Sequence, residues 1–326
     1  MSDLAGAIRT GDRRALSRGI TLVESTRPVD RPDAEALLDD LLPGTGGALR
    51  VGISGAPGAG KSTLIEELGG MLVAGGARVG VLAVDPSSTR SGGSILGDRT
   101  RMEALSRHPA AYIRPTPSGG TLGGVARRTR EAMLLIEAWG AEVVLIETVG
   151  VGQSEVAVAD MVDQFVLLVS PGGGDELQGI KRGVMELADV IAVNKADGDL
   201  AAAADRARGE YAAAAHLLRP RHAGLATPVL ACSAREGDGL DQLWAAVTER
   251  HRALEDDGRL GKLRTTQAQQ WFWAEVRDGL LSEIDRDPAA AGLAGRLERE
   301  VAAGMSLPPV AAREVVSALR ERPSAG

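Results

Sequence analysis

The 326-residue sequence has very little cysteine. Its one cysteine, Cys232, excludes a disulfide framework within the chain, so a reducing compartment, the cytoplasm, is expected. Long apolar runs are also missing, because no stretch approaches the roughly 18 residues that a membrane-spanning helix needs. The first ten residues show no charged start followed by an apolar stretch, and no signal peptide is predicted.

An excess of positive charge is missing as well. Lys and Arg total 37 against 44 Asp and Glu, which gives a formal net charge of −7. Nucleic-acid binding needs clustered positive charge against phosphates, so this acidic chain is not expected to bind nucleic acid. Aromatic residues are scarce, yet three of them form Trp271-Phe272-Trp273. On a helix these three cannot face one way, and at least one is expected to meet another chain or domain.

The hydrophobic pattern divides the chain into three regions. Residues 1–47 show helical spacing of apolar residues and end in a glycine-rich linker. Residues 48–250 alternate short apolar runs with helical stretches, which predicts an α/β, doubly wound domain with a mostly parallel sheet. The expected strands are 51–53, 79–84, 143–146, 165–169, 190–193 and 229–231. Residues 251–326 are again predicted to be helical and must pack on the central domain or on a second copy of the chain.

A phosphate-binding loop follows the first predicted strand. Residues 55–62, GAPGAGKS, fit G-x-x-x-x-G-K-[ST] without a mismatch and precede a predicted helix. Glycines let several backbone N–H groups point at phosphates, and the helix N-terminus adds partial positive charge. Lys61 is expected to reach the β- and γ-phosphates, and Ser62 to ligate Mg²⁺. The predicted phosphate-binding residues are Gly55, Ala56, Pro57, Gly58, Ala59, Gly60, Lys61, Ser62 and Thr63.

Three carboxylates are candidates for further Mg²⁺ ligands, since this ion prefers oxygen. Asp85 and Glu147 each end a predicted strand, at the sheet edge where ligands bind in open α/β folds. Asp98 lies in a glycine-rich stretch. Glu147-x-x-Gly150 occupies the place where many GTPases carry D-x-x-G, and the Gly150 N–H would sense the γ-phosphate. The predicted catalytic residues are Lys61, Ser62, Asp98, Glu147 and Gly150.

A base-selecting motif follows a later predicted strand. Residues 194–197, NKAD, match N-K-x-D. A carboxylate at Asp197 can accept hydrogen bonds from the guanine ring N–H and from the exocyclic amino group, which adenine lacks at that position. Asn194 can support the loop or hydrogen-bond the base, and the Lys195 stem can lie over the purine. After the last strand, a backbone N–H can meet the guanine carbonyl. We therefore expect GTP or GDP, held by Asn194, Lys195, Asp197, Ser233, Ala234 and Arg235.

Taken together, these motifs resemble the methylmalonyl-CoA mutase-associated GTPases of the MeaB and ArgK type, a branch related to the nickel-insertion GTPases. The resemblance covers nearly the whole chain and is most specific at residues 83–88, 147–155 and 174–181. It implies a Mg²⁺-dependent GTPase that acts as a chaperone of an adenosylcobalamin-dependent acyl-CoA mutase, gating cofactor loading and protecting or reactivating the mutase. It also implies a homodimer through the C-terminal helices. The residues it assigns to signalling toward the mutase are Asp175, Glu176, Gln178 and Lys181.

Other functions stay open at this stage. A metal-insertion GTPase would need Cys/His clusters, whereas the four histidines here are widely separated and no C-x-x-C is present. A kinase or transport ATPase is disfavoured by the guanine motif. A nucleotide-switch adaptor for another partner shares all the G-domain motifs, and only the resemblance separates it from the mutase chaperone. No arginine finger is assigned, although Arg90, Arg99 and Arg101 flank Asp98.

Overall fold

The structure, a computed structural model, describes residues 2–84, 102–116, 122–148, 154–171 and 182–320. The N-terminal helices are α1 (Ser2–Arg9), α2 (Arg13–Val23) and α3 (Arg31–Leu41). The strands are β1 (Leu49–Gly55), β2 (Val79–Val84), β3 (Ala111–Thr116), β4 (Val143–Thr148), β5 (Gln164–Val169), β6 (Val190–Val193) and β7 (Val229–Ala231). The helices that alternate with the strands are α4 (Lys61–Ala74), α5 (Glu103–Arg107), α6 (Leu122–Ala138), α7 (Ser154–Ala159), α8 (Arg182–Leu187), α9 (Ala201–His216) and α10 (Leu240–Asp256). The last helices are α11 (Arg259–Arg286), α12 (Pro288–Ala302) and α13 (Pro308–Arg320). Short 3₁₀ turns lie at Pro28–Asp30, Leu42–Gly44 and Gly198–Leu200.

The seven strands form one parallel sheet in the order β3-β2-β4-β1-β5-β6-β7. Parallel neighbours need crossover connections, and the intervening helices cover both faces of the sheet with apolar side chains. This confirms the predicted α/β, doubly wound fold. The strand order reverses next to β1, and such a reversal opens a crevice for ligands at the carboxyl edge. The predicted phosphate-binding loop follows β1, at that position.

The sequence does not predict one of the strands, β3. Its residues include Arg114 and Pro115, which break the apolar pattern that marks the other strands. Strand β3 lies at the edge of the sheet, where a proline is tolerated because one side of the strand needs no ladder hydrogen bonds. Arg114 is used in packing, because its Nε lies 3.2 Å from Oε2 of the buried Glu24, at the end of α2.

The first of two compact units comprises Met1–Gln267. Its N-terminal helices bury Ile8, Leu16 and Leu37 completely, in the same core cluster as the apolar face of α6. The Trp139 indole N–H, just after α6, donates to the Gly11 carbonyl at 2.9 Å. The N-terminal helices therefore share their core with the sheet, and the domain division expected at residues 47 and 250 stays a prediction.

The second compact unit comprises Ala268–Gly326, and its described part is helical, as predicted. Helices α12 and α13 pack together, with Leu297 and Ala311 buried. Helix α12 begins at a defined cap, because the Asp287 side chain accepts hydrogen bonds from two backbone N–H groups of the first turn. Across the described ranges, no helix is both long and apolar enough to cross a membrane.

Asp189, directly before β6, is fully buried and lies among positive groups. Its carboxylate accepts hydrogen bonds from Arg221 at 2.6 Å and from Arg250 at 3.2 Å. The His222 ring lies 3.4 Å from the same carboxylate. Burial lowers the pKa of His222 and outweighs the attraction of Asp189. Repulsion from Arg221, Arg250 and Arg259 acts in the same direction as burial.

Asp163, directly before β5, holds the start of α11. It is fully buried, and Arg264 donates to its two oxygens at 2.9 and 2.7 Å. Arg264 also donates to the Ala48 carbonyl at 2.7 Å, which ties α11 to the segment before β1. His251 lies beside this pair, with its Nδ1 3.9 Å from Asp163. Burial lowers the pKa of His251. Asp163 and Glu255 oppose this shift, and Arg264 reinforces it.

We expect the protein to lose stability as the pH falls below about 6.5, the ordinary pKa of histidine. Both folded pKa values are lowered, so the unfolded chain binds more protons between those values and 6.5, and stability rises with pH through that window. Thermal unfolding of the wild type and of a His222→Gln/His251→Gln variant between about pH 5 and 8 measures the effect. The variant should lose part of the slope, whereas His216→Gln, at an exposed position, should keep it. Equal slopes in all three proteins would contradict the prediction.

Candidate functional site

The phosphate-binding loop joins β1 to α4 at the carboxyl edge of the sheet. Helix α4 begins at Lys61, directly after Gly60, which adopts a left-handed φ of +97°. The Lys61 side chain returns over the loop, and its Nζ donates to the carbonyls of Gly55 at 2.8 Å and Ala56 at 3.1 Å. The sequence therefore places an ammonium group at the mouth of a loop that opens a helix.

Two glycines of the loop have no room for a side chain. A Cβ on Gly55 would lie 2.2 Å from the Leu168 carbonyl oxygen, in the neighbouring strand β5. A Cβ on Gly60 would lie 2.4 Å from Nδ2 of Asn194, and the φ of Gly60 would strain any other residue. The loop is thus a backbone cradle next to a helix N-terminus, which fits the phosphates of a nucleotide.

Beside the loop, Ser62 and Glu147 present oxygen atoms to each other. The Ser62 hydroxyl donates to Glu147 Oε1 at 3.0 Å. Glu147 reaches this place because β4 pairs with β1 in a register that sets it beside Ile53. A hydroxyl and a carboxylate next to a phosphate cradle are the oxygen donors that Mg²⁺ takes, so these residues fit the ion. Asp85, Asp98 and Gly150, the other residues predicted for this part of the site, lie outside the described residues.

A buried polar pair that the sequence reasoning missed lies beneath Glu147. The Thr148 hydroxyl donates to the Ser54 hydroxyl at 2.9 Å, and both residues are buried. The bond joins β4 to β1 at the point where both strands end at the site. A polar Ser54 between the run of residues 51–53 and the glycine-rich loop was the available sequence signal.

Asn194 connects the phosphate loop with the loops predicted to read the base. Its Nδ2 donates to the Ala59 carbonyl at 2.8 Å, and its Oδ1 accepts from the Ala234 N–H at 2.9 Å. Asn194 is buried, and its own N–H donates to the Val169 carbonyl at 2.8 Å. One side chain thereby joins three loops, and these bonds favour the first of the two roles predicted for Asn194, which is to support the loop.

The two loops of the predicted base site also contact each other directly. The Ser233 hydroxyl hydrogen-bonds to the Asp197 carboxylate, and the Ala196 N–H donates to the Cys232 carbonyl at 3.0 Å. Lys195 has a φ of +60°, the one positive value for a residue other than glycine in the described ranges. This left-handed turn is a backbone outlier of the kind that clusters at ligand sites. By contrast, the Arg235 side chain is 84% exposed beside Glu236.

Cys232 supports this arrangement through its carbonyl and through its thiol, which donates to Oδ1 of Asn194 at 3.9 Å. Its side chain is buried in the core beneath the base loops. Burial raises the pKa of the Cys232 thiol to about 12, so the group stays protonated and unreactive near neutral pH. The residue acts as a small core side chain, which agrees with its position directly after strand β7.

The structure therefore brings together the phosphate loop, Glu147, and the two base loops at one end of the sheet. The remaining predicted residues, Asp175, Glu176, Gln178 and Lys181, lie outside the described residues together with Asp85, Asp98 and Gly150. A phosphate cradle, an oxygen pair suited to Mg²⁺ and an N-K-x-D loop define the class of protein: a P-loop GTPase that binds GTP and GDP and uses Mg²⁺.

The comparisons with known proteins give the particular family. The family model described as methylmalonyl-CoA mutase-associated GTPase MeaB matches residues 16–289, and the chain belongs to this family. A probable GTPase of Mycobacterium tuberculosis is 55% identical over 313 residues, covering 96% of this chain and 93% of the relative. A mitochondrial methylmalonic aciduria type A homolog of Mus musculus is 47% identical over 322 residues, covering 96% of this chain and 78% of the relative. The crystal structure of a LAO/AO transport system kinase is similar with a TM-score of 0.78 and 37% identity, covering 98% of this chain and 97% of that chain.

Proposed function

We propose that this GTPase is a chaperone of an adenosylcobalamin-dependent acyl-CoA mutase, with methylmalonyl-CoA mutase as the first candidate. In this role it gates cofactor loading and protects or reactivates the mutase, in the cytoplasm. The observation that carries the proposal is the family match over residues 16–289, because the family's description names the mutase. The mouse relative, whose name refers to methylmalonic aciduria, adds support.

Catalysis in this proposal depends on charge and position, which is most of what phosphoryl transfer requires. In this mechanism the Lys61 ammonium exchanges its hydrogen bonds to the two loop carbonyls for contacts with the β- and γ-phosphates. Negative charge develops on these phosphates during the reaction. Mg²⁺, when bound, supplies further neutralisation of the phosphate oxygens. Ser62 and Glu147 hold the ion, with Asp85 and Asp98 as the further proposed ligands. The backbone of the 55–63 loop orients the phosphates throughout.

The signal to the mutase is proposed to begin next to the γ-phosphate. Gly150 senses this phosphate through its N–H, two residues after Thr148. The buried bond between Thr148 and Ser54 supports this role, since it fixes the point at which the sensing loop leaves the sheet. Nucleotide state is then passed to the mutase by the residues proposed for signalling, which are Asp175, Glu176, Gln178 and Lys181.

The chain is also proposed to form a homodimer through its C-terminal helices. Helix α11 exposes a row of large apolar side chains, with Phe272, Trp273, Leu280 and Leu281 each between 58% and 65% exposed. Within the second compact unit, a pocket of about 940 Å³ lies beside part of this row. Exposed apolar patches of this kind mark interaction sites, and a second copy of the chain is the expected partner.

Replacing both Leu280 and Leu281 with glutamate is expected to convert the dimer to monomers. Both side chains are exposed in the single chain, so the change should affect association and leave basal GTP hydrolysis within about twofold. Sedimentation velocity measures the result. Leu217→Glu, at a position 83% exposed in the first compact unit, is the matched control and should keep the dimer. A variant that stays dimeric would place the interface elsewhere.

The mutase itself provides the test of the proposed function. GTP hydrolysis by the purified chain should be slow alone and strongly stimulated by an adenosylcobalamin-dependent acyl-CoA mutase from the same source. The control is the same assay with the mutase heat-denatured. If no such mutase changed the rate of GTP hydrolysis, the assignment as a GTPase would still hold. The result would favour the alternative, a nucleotide-switch adaptor for another partner.

A further inference from the structure

Ser54 and Thr148 join two neighbouring strands close to the end of each, beside the phosphate loop. The paired register of β1 and β4 runs as far as Ile53 and Glu147. Ser54 and Thr148 are the next residue of each strand, and the Thr148 hydroxyl donates to the Ser54 hydroxyl at 2.9 Å. This side-chain bond, the hydroxyl pair, therefore continues the pairing of the two strands one step beyond the last pair of that register.

A second side-chain bond lies at the same place on the opposite face of the sheet. Successive side chains of a strand point to opposite faces, so Glu147 and its neighbour Thr148 face different ways. Glu147 faces α4, where its Oε1 accepts from the Ser62 hydroxyl at 3.0 Å. Ser62 is tied to the end of β1, because Lys61 beside it donates to the Gly55 carbonyl at 2.8 Å. Each face of the sheet thus carries one bond between the end of β1 and the end of β4.

The two bonds stand in different relations to the proposed metal site. Ser62 and Glu147 are themselves the proposed ligands, so the ion would share in setting where their oxygen atoms lie. The hydroxyl pair lies on the other face and holds the two strand ends whether or not the ion is bound. Mg²⁺ demands near-ideal octahedral geometry, and its ligands bind it more tightly when outer contacts hold them in place beforehand. The hydroxyl pair is suited to be such an outer contact.

Burial makes the hydroxyl pair more than a space-filling contact. Ser54 is 1% exposed and Thr148 is fully buried. A hydrogen bond shielded from water is strong, and loss of one partner leaves the other buried and unsatisfied. The bond also fixes a distance and a direction, which an apolar pair of the same size would not. Two residues earlier on the same face, Gly52 and Ile146 are paired without side-chain hydroxyls, so the polar contact is placed at the end beside the site.

We infer that the hydroxyl pair positions the Mg²⁺ ligands for GTP hydrolysis: it holds the ends of β1 and β4 at the separation at which Ser62 and Glu147 can ligate one ion. This inference rests on the proposed assignment of these two residues as ligands. Ser54 and Thr148 are positioning residues, since neither faces the ion and each acts through the residue beside it in the chain. Loss of the bond should therefore raise the Mg²⁺ requirement, while nucleotide binding without Mg²⁺ should change little.

Thr148→Val tests the hydroxyl itself, because valine keeps the shape of the side chain. We expect this variant of the full chain to raise the Mg²⁺ concentration for half-maximal GTP hydrolysis by about tenfold, the lower end of the range for residues that support metal ligands. Thr148→Ser keeps the hydroxyl and should restore most of the wild-type Mg²⁺ dependence. GDP affinity measured without Mg²⁺ should stay within about twofold in both variants, since separate sites contribute almost independently.

Calorimetric titration of Mg²⁺ into the GDP-bound protein gives a reading that does not depend on activity. Thr148→Val should weaken Mg²⁺ binding by about tenfold, as in the hydrolysis assay. Thr129→Val is the matched control, because the Thr129 hydroxyl is also fully buried and donates to the Val125 carbonyl at 2.9 Å within α6. This control should lose stability but bind Mg²⁺ as the wild type does. If it weakened Mg²⁺ binding equally, the effect would be a general loss of stability and the inference would be wrong.

A double-mutant cycle tests whether the two hydroxyls act through their shared bond. Ser54→Ala and Thr148→Val each remove that bond, so the double variant should weaken Mg²⁺ binding no more than the more severe single variant does. Effects that multiply in the double variant would mean that the two residues act separately, and the inference would be overturned.

Ser62→Ala, which removes a proposed ligand, distinguishes a failure of the inference from a failure of the metal assignment. If Ser62→Ala weakens Mg²⁺ binding and Thr148→Val does not, only the role of the hydroxyl pair is wrong. If neither variant weakens it, the assignment of Ser62 as a ligand is wrong as well. The mutase takes no part in these assays, so their outcome is separate from that of the test of the chaperone role.

Discussion

Lys61→Ala is expected to abolish GTP hydrolysis, with a fall of about 10²–10³-fold or more, the cost of removing one preorganised group from a charged transition state. The ammonium of Lys61 lies over the loop and donates hydrogen bonds to two carbonyls, at 2.8 and 3.1 Å. Alanine puts a methyl group in its place, which offers no positive charge to the phosphates. The fold should tolerate the change, because alanine is the best helix former and Lys61 is the first residue of α4. Phosphate release at saturating GTP and Mg²⁺ measures the effect.

The control for this experiment is Lys262→Ala, which removes a lysine that is exposed on α11. It should leave hydrolysis unchanged and so exclude a general effect of lost positive charge. Both variants are then assayed with the mutase. If Lys61→Ala retained mutase-stimulated turnover, Lys61 could not be the group that neutralises the phosphates, and the role given to the phosphate loop would be wrong.

The sheet was predictable because its strands follow a rule that acts locally. A strand buried on both faces must be apolar along its whole length, and Val79–Val84, with all six residues buried, shows this pattern in full. Strand β3 was not predicted because it lies at the edge of the sheet, where a strand need not be apolar along its whole length. Arg114 and Pro115 are therefore allowed in it. What makes Arg114 acceptable is its pairing with Glu24, ninety residues earlier in the chain, and no local pattern contains that pairing.

The same contrast holds for the site, where local motifs could be predicted and contacts between distant residues could not. The phosphate loop and the N-K-x-D loop were predictable, since each needs particular residues at fixed short spacing. The contacts that hold these loops in place join residues far apart in sequence. Asn194 reaches Ala59 across 135 residues, and Thr148 reaches Ser54 across 94. Such pairs become neighbours only through the fold, so sequence reasoning left two roles open for Asn194 and missed the pair formed by Ser54 and Thr148.

Asp197→Asn is expected to reduce the preference for guanine by up to about 10⁴-fold, the lower end of the range by which a site built to hydrogen-bond a group rejects a partner that lacks it. Asp197 is proposed to accept two hydrogen bonds, from the ring N–H and the exocyclic amino group of guanine. An asparagine in its place would offer one accepting oxygen and turn an N–H donor toward another donor. Xanthine carries a carbonyl where guanine carries the amino group, so this base should fit the variant better.

The measurement is hydrolysis of GTP, ATP and xanthosine triphosphate by the wild type and the variant, compared through kcat/KM. The Ser233 hydroxyl, which bonds to Asp197 in the structure, can also bond to an amide, so the loops should keep their arrangement. Asp199→Asn, two residues away at an exposed position, removes the same charge and should keep the wild-type preference. A change in KM with little change in kcat would locate the effect in binding, as a base-reading residue requires. If Asp197→Asn kept the full preference for GTP over xanthosine triphosphate, the amino group of guanine would have to be read by another residue, and the base-reading role of Asp197 would be wrong.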